Sequence, residues 1–288
     1  MSFPLPGSSP FDVVFSAPGA GPQFWSGAPS VVELPDGTFA MAYRRRNGSG
    51  EHDAVVLATS NDGVHFQPVG EVDKHVHGAA MTERPALVHL ADGSWRMYVS
   101  YATHDSFHWW VGLLEAPTFE ELAQAEVTPV FPGSDAIAVK DPVVRYVDGH
   151  WEAWLCHHLL DVPGAEDRME TAITFSEDGV TWSEPTVVLR GESGTWNQRG
   201  ARMTAVLPDG RITFDGRASA AENWFERTGI AEPVGDGTYR PVGDAVSTAR
   251  YLEIVPLRNG DTRIYYEQVL PDESHELRTE LIPAERDA

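Results

Sequence analysis

Two acidic residues, Glu83 and Asp141, stand in similar surroundings, each next to a cation and within two residues of a proline, in "ERPALV" and "KDPVV". Glycoside cleavage uses two such carboxyl groups, one to protonate the leaving oxygen and one to activate water or attack. The neighbouring Arg84 and Lys140 would keep one group ionised, while burial could raise the pKa of the other. Glu253 in "RYLEIV" is a third candidate. The alternative is that these carboxylates form only structural ion pairs.

The residues expected around these carboxylates are cations, histidines and aromatics, a composition that suits a sugar and that can also hold an anionic group. Arg199, Arg202 and Arg250 could form a clamp for a carboxylate or phosphate. Structural ion pairs beneath the surface are again the alternative. The predicted substrate-binding residues are Arg84, His108, Trp109, Lys140, His157, Arg168, Arg199, Arg202, Arg217, Arg250, Tyr251 and Glu267.

Two adjacent histidines, His157 and His158, raise the question of a metal, because imidazole binds several transition metals. Only His75 and His77 have a regular ligand spacing, and they fall in a predicted loop. We therefore expect no metal and no cofactor, and we expect His108 and His157 to hydrogen-bond to substrate.

A repeated hairpin must position these residues. Similar segments begin at Ala28, Arg84, Asp141, Ala201 and Arg250, each with an apolar run, an Asp-Gly or Asn-Gly turn, and a second run rich in aromatics. Such dipeptides accept the positive φ of tight hairpin turns. The segments "ATSNDGVHF" and "TFSEDGVTW" supply further hairpins behind two of the copies.

Two hairpins make a four-stranded unit, and a repeat of about fifty-odd residues is typical of a β-propeller. We therefore predict an all-β fold: one domain over residues 1–288, a five-bladed β-propeller with four antiparallel strands per blade. The segment Phe11–Phe15 would complete the last blade, and "TFEELAQAE" could form a turn or two of helix. A β-sandwich is the alternative, but it would not keep one motif at a near-constant spacing.

The up-and-down strand order assigns loops to the two faces of such a ring. Residues before each first strand and after each second strand share the face of the channel mouth, where Glu83 and Asp141 are expected. The aspartates of the hairpin turns lie on the opposite face and read as structural, because aspartate before glycine is ordinary turn chemistry. They are Asp36, Asp92, Asp148 and Asp209.

The charge balance excludes several partners. Twenty-one basic and forty-three acidic residues give a formal charge of −22, whereas nucleic acids and anionic membranes need clustered positive charge. The single cysteine, Cys156, allows no intrachain disulfide and fits a reducing compartment, and it is expected to be inert. The N-terminal residues show no secretion signal and no apolar run has membrane-spanning length, so we expect a cytoplasmic protein.

Together these motifs resemble the five-bladed glycoside hydrolases of families 32, 43, 68 and 130. "KDPVV" is similar to the Arg-Asp-Pro motif of family 32, and "ERPALV…DGSWRMYVSYA" is similar to the Glu-x-Pro and DG-aromatic runs of family 43. The resemblance implies a base or nucleophile in the first blade, a supporting aspartate in the second and an acid glutamate in the third. This chain departs from that order, with Ala28 in the first blade, Glu83 in the second and Asp141 in the third.

Three functions follow as hypotheses. The first is an exo-acting glycoside hydrolase on small oligosaccharides or glycosides. The second is a non-hydrolytic sugar enzyme, a lyase or phosphorylase, which Ala28 and the many arginines favour. The third is a carbohydrate-binding propeller without catalysis.

Overall fold

The hairpin turns of the sequence are turns in the computed structural model, which describes residues 4–284. Asp36 Oδ1 accepts hydrogen bonds from the Thr38 amide (3.0 Å) and hydroxyl (2.7 Å), and Gly37 takes the positive φ of the turn. In the longer turn of "SEDG", Asp178 Oδ1 accepts the amides of Val180 and Thr181. These carboxylates therefore serve the backbone of their own turns.

Three of the sheets formed by the described residues have four antiparallel strands each, in sequence order. Their strands are β6 (Thr82–His89), β7 (Trp95–Ala102), β8 (Trp109–Ala116) and β9 (Thr128–Phe131); β10 (Ile137–Val147), β11 (His150–Leu159), β12 (Met169–Ser176) and β13 (Thr186–Arg190); β14 (Ala201–Val206), β15 (Ile212–Gly216), β16 (Arg227–Pro233) and β17 (Tyr239–Ser247).

The remaining strands form one eight-stranded sheet with two halves. One half contains β2 (Phe24–Glu33), β3 (Phe39–Asn47), β4 (Ala54–Ser60) and β5 (Gln67–Asp73), and the other contains β18 (Ala249–Pro256), β19 (Thr262–Val269), β20 (His275–Ile282) and β1 (Phe11–Phe15). A single parallel pair, Trp25 with His275, joins the halves. The N-terminal strand β1 pairs antiparallel with β20, so both ends of the described chain share one half.

The first strand of each four-stranded unit contacts the first strands of its neighbours, in the cyclic order β2, β6, β10, β14, β18 and back to β2. Each of these five strands has a register shift near its start. In three of them the shift coincides with a left-handed residue, Ala28 (φ 49°), Asp141 (φ 52°) and Tyr251 (φ 53°). Such bulges re-aim side chains, and a left-handed alanine or tyrosine is uncommon. The bulges therefore shape the inner surface of the ring.

The apolar core lies between neighbouring sheets. One cluster joins β3 and β4 to β7 and β8 through residues such as Leu57, Met97 and Tyr101, and similar clusters fill the other interfaces. The first strands also carry buried charged side chains, such as Glu83, Asp141 and Arg202.

Helices contribute little to the described residues. The segment predicted to be helical forms a short 3₁₀ turn, Glu120–Gln124, and a second such turn spans Ala220–Glu222. Across residues 4–284 no helix has the length and apolar character needed to cross a membrane.

Candidate functional site

A cavity of about 420 Å³ lies where the five first strands begin. Each of these strands contributes to its wall, through Trp25, Glu83, Lys140, Arg202 and Tyr251 respectively. The volume falls in the range of roughly 300–1,000 Å³ that is usual for small-molecule sites. The loops after β3 and β5, and those between β15 and β16, cover its sides.

Glu83 is a carboxylate of the cavity that two arginines hold directly. Its Oε2 accepts from Arg44 at 2.9 Å and its Oε1 accepts from Arg46 at 2.5 Å, and the side chain is almost fully buried. Burial opposes ionisation, but Arg44, Arg46 and Lys140 outweigh it and hold the pKa of Glu83 well below its usual range. Glu83 is therefore a carboxylate, not a proton donor, in the free protein.

Asp141 lies immediately behind the cavity wall. Its Oδ2 accepts from Arg202 at 2.9 Å and lies 3.8 Å from Lys140 Nζ, and its backbone amide donates to Ser100 Oγ at 2.8 Å. The Tyr251 hydroxyl is 3.4 Å from the same Oδ2. The other oxygen, Oδ1, is buried and has no hydrogen-bond partner among the described residues.

Arg202 connects the carboxylates of two sheets. It donates to Asp141, to Asp215 (2.8 Å) and to the Tyr251 hydroxyl (2.8 Å), and its guanidinium lies 3.9 Å from the centre of the Tyr251 ring. Burial raises the pKa of Asp215, although Arg202 acts against this. Burial also raises the pKa of Tyr251 well above its ordinary value, so its hydroxyl keeps its proton.

Two further arginines of the cavity lining, Arg217 and Arg250, both pair with Glu226. Burial opposes its ionisation, but Arg250 and Arg217 hold the pKa of Glu226 far below its usual range. Arg250 also lies 3.4 Å from Glu267. Arginines paired with carboxylates thus make up much of the cavity wall.

Tryptophans supply the apolar part of the wall. Trp25, Trp109 and Trp224 all line the cavity, and Trp224 remains 41% exposed. Trp25 packs edge-on against Trp224 and has a buried Nε1 without a hydrogen-bond partner in the described part of the chain. Indole faces beside charged groups are suited to the apolar and hydroxyl faces of a sugar ring.

Glu253 and Arg84 lie elsewhere on the inner surface. They line a second cavity of about 650 Å³, formed by the later residues of the first strands. Arg84 Nη2 donates to Glu253 at 3.2 Å and to the Thr204 carbonyl at 3.0 Å. Burial raises the pKa of Glu253 to about 7, against the effect of Arg84. Neither residue belongs to the cavity of Glu83.

The predicted site residues therefore fall into separate groups. Glu83, Trp109, Lys140, Arg202, Arg217, Arg250 and Tyr251 line the first cavity, and Asp141 lies behind it. Five others line neither cavity. Glu267 is buried between Arg44 and His275, His157 lies 3.8 Å from Glu170, His108 contacts Thr103, Arg168 pairs with Asp161 and Arg199 pairs with Asp167.

Several lining residues were absent from the sequence-based prediction. His158 lines the cavity instead of His157, and burial lowers its pKa to about 3, so it is neutral. Lys74, Asp53 and Glu226 come from loops. The rarity of lysine in this chain was the one sequence signal for Lys74.

Within residues 4–284, no three His, Cys, Asp or Glu side chains are grouped so that they could hold a metal ion. Cys156 is buried, and burial raises the pKa of its thiol to about 12.

Comparison with known proteins identifies the fold. No protein-family model and no curated protein matches the sequence. Among solved structures, a thermostable family-43 glycoside hydrolase has a TM-score of 0.67 at 11% identity, covering 94% of this chain and 91% of that one. An α-L-arabinofuranosidase from Lactobacillus brevis has a TM-score of 0.65 at 12% identity, covering 90% of each chain.

A β-1,2-mannobiose phosphorylase from Listeria innocua, solved with β-1,2-mannobiose, has a TM-score of 0.60 at 12% identity, covering 96% of this chain and 92% of that one. At these identities the likeness concerns the fold. The predicted resemblance to the propeller glycoside hydrolases is thereby confirmed: this chain has a mostly β fold of four-stranded sheets that it shares with them.

Proposed function

We propose that this chain is a five-bladed β-propeller in a single domain and that it is a carbohydrate-active enzyme, an exo-acting glycoside hydrolase on small glycosides or oligosaccharides. The cyclic contacts of the first strands support the five blades. The observation that carries the function is the cavity itself, in which the ionised Glu83 lies among three tryptophans at the start of the first strands. Its size suits a short substrate rather than a long chain.

In the proposed reaction Glu83 is the carboxylate that activates water or attacks the anomeric carbon. Its two arginines keep it ionised, as this role requires. Asp141 is the proposed second carboxylate and would protonate the leaving oxygen. Because its side chain is inaccessible behind the cavity wall, this role requires the wall to rearrange when substrate binds. Glu253 is the weakest of the three proposals for catalysis, because it lines the other cavity.

We further propose that the sugar carries an anionic group. Six cationic side chains of the described residues line the cavity against three acidic ones, in a protein whose overall charge is −22. The nearest charges to a bound ligand are thus opposite in sign to those of the protein as a whole. A nucleic-acid or membrane partner is not part of the proposal, and the cytoplasm remains the expected location.

Phosphorolysis is a second candidate, and one observation favours it. Ala28 is fully buried and has the same left-handed backbone as Asp141 and Tyr251, so the first-blade position offers no carboxylate. An enzyme that uses phosphate as the nucleophile needs a cationic site for the phosphate in place of the carboxylate that is missing at Ala28. The arginines of the cavity could provide such a site.

A panel of nitrophenyl glycosides, assayed with and without phosphate and with EDTA, tests the proposal. Hydrolysis that survives EDTA and is lost in Glu83→Gln supports the hydrolase. Dependence on phosphate supports phosphorolysis instead. Calorimetric binding of sugars without turnover would indicate a binding propeller, and full activity in both Glu83→Gln and Asp141→Asn would overturn the site assignment.

A further inference from the structure

The chain contains only two lysines, Lys74 and Lys140, against nineteen arginines, and both lysines line the cavity of Glu83. They come from different parts of the fold, Lys74 from the segment after β5 and Lys140 from β10. Both lysines of a chain whose other basic residues are all arginines therefore line one cavity.

The arginines of the cavity already have carboxylate partners. Arg46 pairs with Asp53 and Glu83, and Arg202 pairs with Asp141 and Asp215. Arginines 217 and 250 likewise pair with two carboxylates each. Their charges are therefore largely compensated by carboxylates, and the Nε atom that each of them leaves without a hydrogen-bond partner is buried.

The lysines differ in this respect. Lys74 is 8% exposed, and its ammonium has no ion-pair or hydrogen-bond partner within the part of the chain that the structure describes. Lys140 has one long contact, 3.8 Å to Asp141 Oδ2, and its Nζ lies 4.2 Å from the centre of the Trp109 ring. These two ammonium groups are the cations of the cavity that remain available to a ligand.

A nearly buried cation without a partner is unfavourable, because it has lost water and gained no counter-charge. Lysine is also a compact point charge on a flexible stem, with three donors that can follow a ligand as it enters and leaves. An oxyanion of the ligand would supply the missing partner.

We propose that Lys74 and Lys140 bind an oxyanion that belongs to the sugar itself: the carboxylate of a sugar acid, or a phosphate or sulfate ester. This inference rests on the proposed function, since it places the charged group in the same cavity as Glu83. It goes further by assigning the anion to two residues and by making Lys74 a determinant of specificity.

The scarcity of lysine gives a direct experiment. Reductive methylation of the intact protein modifies only these two side chains and the α-amino group. Peptide mass spectrometry therefore measures the modification rate of the two cavity lysines with no signal from other lysines. Glucuronate, galacturonate and glucose 6-phosphate are compared with glucose, galactose and inorganic phosphate. We expect at least one anionic sugar to slow the modification of both lysines at least about fivefold, while the neutral sugars and inorganic phosphate leave it unchanged.

Variants of Lys74 test whether its charge contributes to binding independently of the stability of the fold. Lys74→Met should weaken binding of the protecting sugar at least about tenfold in calorimetry, the usual effect of losing a hydrogen bond to a charged group, and Lys74→Arg should restore part of it. Arg45→Met is the matched control, because Arg45 pairs with Glu71 on the surface and does not line the cavity. Circular dichroism melts of the three variants establish that each is folded.

Equal protection by inorganic phosphate would overturn the inference and would favour phosphorolysis. Failure of every anionic sugar in the panel to protect the lysines would overturn it as well. Cleavage of neutral glycosides without such protection would leave the proposed hydrolase standing, whereas protection without cleavage would contradict the proposed reaction and support the lysine site.

Discussion

Arg202 is the residue whose loss should destabilise the fold most clearly. It is almost fully buried and donates to Asp141 and Asp215, whose side chains are inaccessible to solvent. Replacement by methionine keeps much of the volume but leaves two buried carboxylates without their main cation. Breaking one buried pair in this way costs about 3–5 kcal/mol of unfolding free energy. Because one kcal/mol corresponds to roughly 2–4 °C in Tm for chains somewhat shorter than this one, Arg202→Met should lower Tm by at least about 6 °C.

The assay is urea unfolding followed by tryptophan fluorescence, with Arg45→Met as the control. Arg45 pairs with Glu71 at 2.6 Å, but both side chains are partly exposed. Its loss should change the unfolding free energy by less than about 1 kcal/mol. Adding Asp215→Asn to Arg202→Met removes one of the stranded charges, and the double variant should recover at least about 1 kcal/mol relative to additivity.

The pH dependence has a definite sign. Burial already raises the pKa of Asp215, and the loss of Arg202 removes the cation that opposes this. Protonation of Asp215 should therefore relieve part of the penalty, so the loss of unfolding free energy in Arg202→Met should shrink as the pH falls from 7 to 5. If Arg202→Met lost less than about 1 kcal/mol of unfolding free energy at pH 7, the reasoning would be refuted, because the buried charges would then have found other partners. A deficit that grows in acid would refute it equally.

Three further outcomes follow from the same physics. Burial raises the pKa of Glu253 to about 7, above the usual value for glutamate, so the group binds its proton more tightly in the folded state. The stability that this group contributes is full below about pH 4.3 and falls as the pH rises to about 7. In urea unfolding, Glu253→Gln should therefore flatten the dependence of the unfolding free energy on pH between these two values. Burial opposes ionisation of Glu267, but nearby cations, Arg44 above all, lower its pKa to about 2. The stability that Glu267 contributes is present above about pH 4.3 and is lost as the pH falls to about 2. Glu267→Gln should therefore lower the melting temperature at pH 7 more than at pH 2. A Cβ at Gly27 would lie 1.9 Å from Glu267 Oε2, so Gly27→Ala should also melt at a lower temperature, and an unchanged Tm would mean that the carboxylate can move aside.

The repeat made the strands predictable because each copy carries its own turn signal. The strand predicted at Phe11–Phe15 is β1, and its pairing with β20 follows from counting the strands of the last copy. Local turn chemistry and period-2 patterning contain this information.

The site was only partly predictable, for two geometric reasons. A strand rises by about 3.3 Å per residue, so Glu253 lies well along β18 from Tyr251 and reaches the other cavity. Neighbouring side chains also point to opposite faces, and the bulges in the first strands shift that alternation. The choice between His157 and His158 depends on such details.

Loop residues were the other part of the site that the sequence did not predict. Asp53, Lys74 and Glu226 reach the cavity from connections whose paths are set by tertiary packing and not by a local pattern. Ala28 shows the reverse case, since the sequence alone indicated that this repeat has alanine where the repeat of Asp141 has a carboxylate, and the structure shows that the side chain is small and fully buried.

The most direct measurement of the central proposal is the kcat/KM of the purified protein and its Glu83→Gln variant for a panel of nitrophenyl glycosides, neutral and anionic. Glu115→Gln is the matched control, because Glu115 is an exposed carboxylate that pairs with Arg96. We expect cleavage of at least one substrate, a fall of at least about 100-fold in Glu83→Gln, and an unchanged rate in Glu115→Gln. Full activity of Glu83→Gln, or no turnover and no binding by the unmodified protein, would contradict the proposal.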